Sequence, residues 1–171
     1  YSILYLLGLL NSNLFRWYYQ ELVNEEGRVF AQVKLSKVKQ LPIKPLNFGN
    51  TTEKNIHSSF VTFISYIIFL KTQNLLAVTD QLIPTYFEQI IDGMVYELYF
   101  PELLKKHNRE IIKHLGELPE FTEKMSDEKK ISICKTVFNR LNEREHPVRT
   151  NLFFMSSIPE IKIIEGKHEN N

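Results

Sequence analysis

Nine apolar side chains between Ile83 and Tyr99 (Ile83, Tyr86, Phe87, Ile90, Ile91, Met94, Val95, Leu98 and Tyr99) recur at steps of three and four residues. That spacing puts them on one broad stripe of an α-helix, and a stripe so wide has to be covered by other elements. The chain is therefore expected to fold around this helix. Thr79 or Asp80 would cap it, with Pro84 in its first turn, where a missing N–H does no harm.

Other segments supply the cover. Phe60 to Leu70 is the most apolar run, with Phe60, Phe63, Ile64, Ile67 and Ile68 on one face. It is about half as long as a bilayer span, so it reads as a buried core helix and not as a membrane segment. Ile3, Leu6, Leu7 and Leu10 predict a helix that breaks at Asn11-Ser12, with Ser12 as the N-cap of a second helix through Leu14, Trp17, Tyr18 and Leu22. Asn24 to Gly27 would end it, and Pro45 to Lys54 is loop-like in composition. Pro101 begins a helix expected to run through Leu104, Ile111 and Leu115 to Gly116, and Ser126-Asp127-Glu128 caps one carrying Ile131, Cys134, Val137, Phe138 and Leu141. Leu152 to Met155 is a short apolar piece, Ile161, Ile163 and Ile164 read as a terminal strand or strap, and residues 166–171 as a disordered tail.

Between the helices lies a different kind of sequence. From Arg28 to Lys44 the chain carries five cations (Arg28, Lys34, Lys37, Lys39 and Lys44) and no acid, although its formal net charge is only +1. Val29, Ala31 and Val33 alternate with Arg28, Phe30 and Gln32, as in a half-buried strand, and Leu41 and Ile43 flank Pro42 in a second extended piece. The fold class expected is thus mainly α with a small β-element: a helical bundle packed on a short basic strand pair. Residues 1–45 would form a subdomain of two helices and the strands, and residues 55–165 a C-terminal bundle with its strap, the two packed as one unit. The chain opens without Met inside an apolar pattern, which suggests a piece of a longer protein.

Few residues suggest catalysis. There is no Gly-rich phosphate loop, no Cys or His pair at metal-ligand spacing and no Gly-x-Ser-x-Gly elbow. A single cysteine, Cys134, excludes an internal disulfide, fits a reducing, cytoplasmic setting, and reads as a small buried hydrophobe. His107 and His114 would share a helix face, but Lys105, Lys106, Arg109 and Lys113 around them disfavour a metal. Glu160-Ile-Lys162 has the Glu-x-Lys form of metal-dependent nucleases, with Asp127 the nearest second carboxylate; the triplet is common by chance. Asp92 and Glu97 are five apart and read as ion-pair residues. The basic stretch is the better candidate site. Its lysines could neutralise phosphates, and amides such as Gln32 and Gln40 could pair with adenine, although lysines on an edge strand also prevent aggregation.

Two stretches carry a family likeness. "LYLLGLLNSNLFRWYYQ" followed by "RVFAQVKLSKVKQLPI", within residues 4–43, resembles the end of a TaqI-like C-terminal specificity domain, in which a helix ending in Leu-Asn-Ser leads through an aromatic helix to Leu-Pro-Ile. "IIDGMVYELYFPELL", Ile90 to Leu104, is similar to a helix downstream of that stretch in type IIG restriction–modification enzymes. The resemblance implies a parent that is an adenine-specific DNA methyltransferase, with or without a fused nuclease. It implies S-adenosylmethionine as cofactor in a catalytic domain outside this sequence, since the Asn-Pro-Pro-Tyr motif and the cofactor-binding glycines are not in these residues. Double-stranded DNA and that catalytic domain would be the partners. Arg28, Lys34, Lys37, Lys39 and Lys44 would hold phosphates, and Gln32 would be the base-edge contact. The rival expectation is a protein-interaction module that docks a catalytic domain or a second subunit through the aromatic helices Leu14 to Tyr19 and Phe60 to Leu70, with no direct DNA contact.

Overall fold

The computed structural model describes residues 2–23, 35–73 and 78–166. Among the described residues nine α-helices succeed one another: α1 (Ile3–Asn11), α2 (Asn13–Val23), α3 (Leu35–Val38), α4 (Thr51–Thr72), α5 (Val78–Tyr99), α6 (Pro101–Lys106), α7 (Asp127–Leu141), α8 (Pro147–Met155) and α9 (Pro159–Ile164), with a 3₁₀ turn at Ile112–His114. The striped helix is the centre, as its spacing demands. α5 touches α2, α4, α6, α7 and α8, while α1 packs on α4. Phe87, Ile90, Met94 and Val95 of α5 are fully buried, as are Phe60, Phe63 and Tyr66 of α4. Burying each of these large side chains stabilises the fold by about 1.5–3 kcal/mol. The rings interlock: Phe63 meets Phe87 at 5.3 Å between centroids, and Tyr66 meets Phe87 at 5.7 Å.

Local signals account for most of the helix ends. Asn50 caps α4 by accepting from the backbone N–H groups of Thr52 and Glu53, and Ser126 caps α7 through the N–H of Lys129. Ser12 closes one helix and opens the next: its hydroxyl donates to the carbonyl of Leu9 (2.7 Å) and accepts from the N–H of Phe15 (3.4 Å). Glycine does one thing here that alanine could not. A Cβ on Gly8 would collide with the edge of the Phe60 ring and stand 3.0 Å from Ile64, so the missing side chain sets how closely α1 lies on α4.

Several expectations are corrected. No strand occurs among the described residues, which are 71% helical, so the α+β bundle on a basic strand pair gives way to a helical bundle. Residues 28–34, where the first strand was expected, lie outside the described residues. Leu35–Val38 is one helical turn. The stretch about Pro42 is an irregular, unpaired segment, because proline has no N–H for a ladder and side-chain hydroxyls occupy the neighbouring backbone groups. Ile161, Ile163 and Ile164 belong to α9, started by Pro159 at its first position; Ile161 and Ile164 are buried and Ile163 faces out. α5 begins at Val78, so Pro84 is interior to the helix instead of in its first turn. α6 stops at Lys106, where Asn108 takes φ 53°, and His107 and His114 share no helix. No described helix is long and apolar enough to cross a membrane.

Candidate nucleic-acid interface

Of the six residues expected to meet DNA, Arg28, Gln32 and Lys34 lie outside the described residues. Lys37 is half-buried in α3, and Lys39 is exposed in the turn after it. Gln40, beside them, donates its amide to the Ser36 carbonyl at 3.0 Å. These groups sit on one helical turn that packs against α2.

Immediately downstream, Leu41 to Lys44 forms a strap fixed to the bundle. The Ile43 N–H closes a tight turn on the Leu41 carbonyl at 2.9 Å. The Tyr99 hydroxyl donates to the Pro42 carbonyl (2.6 Å) and accepts from the Lys44 N–H (2.8 Å). The buried Tyr5 hydroxyl donates to the Lys44 carbonyl (3.0 Å). Lys44 is further held by its ammonium, which donates to the Leu98 carbonyl at 2.5 Å, at the C-terminal end of α5 where a cation is favoured. Lys44 thus fastens the strap through backbone and side chain alike. Burial and the bond from Lys44 act in opposite senses on the Tyr99 phenol; burial prevails and raises its pKa.

Asp92 and Glu97 of α5 do not form the ion pairs expected of them. Asp92 accepts from the N–H of Asn13 (2.7 Å) and from its side-chain amide (2.9 Å), anchoring the start of α2. Burial pushes the Asp92 carboxyl up to about 6, helped by the Glu165 carboxylate and opposed by the bond from Asn13. Glu97 accepts from the N–H groups of Ile111 (2.6 Å) and Ile112 (3.0 Å), and burial raises it too. Each acid spends its charge on the end of another segment. Sequence spacing gives no sign of this, since the partners of Asp92 are 79 residues away.

The remaining candidates do not assemble. Glu160 and Lys162 stand two apart on α9 and Asp127 in the first turn of α7, and the described residues hold no group of three His, Cys, Asp or Glu side chains placed for a metal. Cys134 is buried, and burial pushes its thiol up to about 12, far from a reactive thiolate.

Beyond the basic turn, sequence reasoning missed a cavity of about 680 Å³ between α2, α5, α8 and the end of α9. Its walls include Asn13, Arg16, Asp92, Tyr96, Arg149 and Phe153. These residues are scattered over the chain, and only the fold brings them together.

Comparison with curated proteins and with solved structures finds no match. A family model does match: residues 1–43, which hold α1, α2, α3 and the chain as far as Ile43 of the strap, fit the TaqI-like C-terminal specificity domain.

Proposed function

We propose that this chain is a DNA-recognition and scaffold segment of a restriction–modification enzyme, in which the basic stretch from Arg28 to Lys39 meets the phosphate backbone and the helical bundle holds that stretch in place. The observation that carries this reading is the match of residues 1–43 to a specificity domain, because it ends on the same stretch that concentrates five cations without an acid. The exposed Lys39 and the half-buried Lys37 beside it suit phosphate contacts. Lys44 is expected to contribute least, since its ammonium is held at the Leu98 carbonyl. Gln32 remains the proposed base-edge contact. The parent enzyme would methylate adenine using S-adenosylmethionine bound in a separate catalytic domain of the same chain.

The test is affinity for duplex DNA as a function of salt. Each phosphate-binding lysine changed to alanine should weaken binding across all sequences and lower the slope of log K against log salt by about one. A Lys34→Ala/Lys37→Ala/Lys39→Ala variant with unchanged affinity and slope overturns the reading.

A docking role has its own support, though from different side chains than the sequence suggested. Phe60, Phe63 and Tyr66 are buried in the bundle, whereas Ile3, Leu7 and Leu10 lie along one exposed face of α1. That face is the proposed seat of the catalytic domain, and Leu7→Lys/Leu10→Lys should weaken association between the two while leaving DNA binding by this segment unchanged.

A further inference from the structure

We propose that His57 of α4 is a proton-sensitive latch: neutral, it holds the turn Asn47–Asn50 against α4, and a proton on its ring releases that turn, which joins the strap to α4. The imidazole sits between two aromatic rings. Phe48 of the turn lies 4.9 Å away between centroids, at 74°, and Tyr5 of α1 lies 5.5 Å away, at 40°. Tyr5 is fully buried, packs edge-on against Phe60 at 5.3 Å and donates to the Lys44 carbonyl, so it is fixed. Phe48 is 48% exposed and can swing into solvent at small apolar cost. His57 Nε2 is buried and has no hydrogen-bond partner. A neutral ring can leave that nitrogen bare. The cation carries N–H on both nitrogens, so Nε2 would become a charged donor with nothing to accept it.

The charged groups around the ring do not relieve this. From the side of α1 come the Tyr5 phenol and the positive charge of the amino terminus, and the turn brings no ionisable side chain. On α4 itself Lys54 stands three residues earlier and Glu53 one turn earlier. Glu53 is already engaged: its Oε2 accepts from the Asn47 N–H at 2.7 Å, which closes the turn onto α4. A charged His57 that swung toward Glu53 would compete for that carboxylate, so the acid relieves the ring only at the expense of the turn. Within the turn, Asn47 Oδ1 accepts from the Gly49 N–H and the Asn47 carbonyl from the Asn50 N–H, both at 2.9 Å. Burial, with the amino-terminal charge adding to it, lowers the His57 pKa below its ordinary 6.5. The closed turn therefore favours the neutral ring: the latch holds above pH 6.5 and is released progressively below it.

The device belongs to the fold and holds whether or not the basic stretch meets DNA. Its test is an NMR titration of the whole chain from pH 7.5 to pH 5, following the His57 and Phe48 ring resonances together. His57 should titrate with a midpoint below 6.5, and the Phe48 ring should move toward its unfolded position with that same midpoint. The open population of the turn should grow as the pH falls, by at most about thirtyfold over this range, a ceiling set by the ordinary 6.5 of a released histidine. His57→Phe, which keeps a ring between Tyr5 and Phe48, should hold Phe48 in place at every pH. Both chains are compared on an Asp92→Asn background, which removes another group that titrates in this window. A His57 midpoint at or above 6.5, a Phe48 ring that stays put while His57 titrates, or the same acid response in His57→Phe overturns the proposal. Should the variant not fold, the first two outcomes decide on the Asp92→Asn chain alone.

Discussion

Replacing Tyr99 by phenylalanine removes one oxygen and with it two hydrogen bonds to the strap, one to the Pro42 carbonyl and one from the Lys44 N–H. The ring would stay where it is, packed edge-on against Phe15 at 5.6 Å, so no cavity opens and the change isolates the polar contacts. Each bond is worth about 0.5–1.5 kcal/mol net, giving about 1–3 kcal/mol for the pair. Tyr99 is only half-buried, so water can reach the freed groups and the lower half of that range, about 1–2 kcal/mol, is expected. Urea unfolding should show the midpoint falling with an unchanged slope. Hydrogen exchange gives the local reading, because the Lys44 amide loses its acceptor and should exchange about tenfold faster, the equivalent of about 1.4 kcal/mol. Amides in the middle of α4 should slow or quicken only as global stability dictates. If Lys44 exchange and the midpoint both match those of the unaltered chain, the strap is not held by Tyr99, and the rigid mounting of the basic stretch loses its physical basis.

Other consequences are equally open to measurement. The Asp92 carboxyl lies near 6 in the fold against 3.8 ordinarily, so the folded chain binds the proton more tightly than the unfolded one and stability rises as pH falls through that window. Between about pH 7.5 and pH 5 the gain is about 1.4 kcal/mol from this group, and Asp92→Asn should lack it in paired unfolding curves; a gain of the same size in the variant refutes the assignment. Gly93→Ala would bring a Cβ to 2.6 Å from Leu152 Cδ2 and 2.7 Å from Ile111 Cδ1, so both side chains must turn aside, with an expected loss of about 1 kcal/mol read as a lower melting temperature. Arg140 donates from one guanidinium nitrogen, Nη2, to the carbonyls of Leu115 and Glu117, both at 2.9 Å, so Arg140→Ala, which removes both bonds, should cost about 1–3 kcal/mol by denaturant titration.

The sequence revealed what depends on local spacing. The apolar steps from Ile83 to Tyr99 predicted the central helix, and Asn11-Ser12 predicted the break between α1 and α2, because both are properties of a few adjacent turns. It misled where a short apolar pattern suited two conformations. Ile161, Ile163 and Ile164 satisfy a strand as readily as a helix, and Pro159 at the first helical position decided for the helix. Lys37 was expected within a small basic β-element, yet it lies in a helical turn. Lys44 was read as a phosphate ligand from its charge, but its carbonyl partner on Leu98 lies 54 residues along the chain. The cavity of about 680 Å³ draws Asn13, Asp92, Arg149 and Phe153 from three separate helices, and no motif marks such a set.

Because α5 touches five other helices, its contacts also set how the molecule comes apart. α6 and α8, both in contact with α5, have six and nine residues, too few to persist as isolated helices in water. They exist only while α5 offers them a surface. Unfolding should therefore run as a single sharp transition, and proteases should release no durable remnant from which the central helix has been cut away.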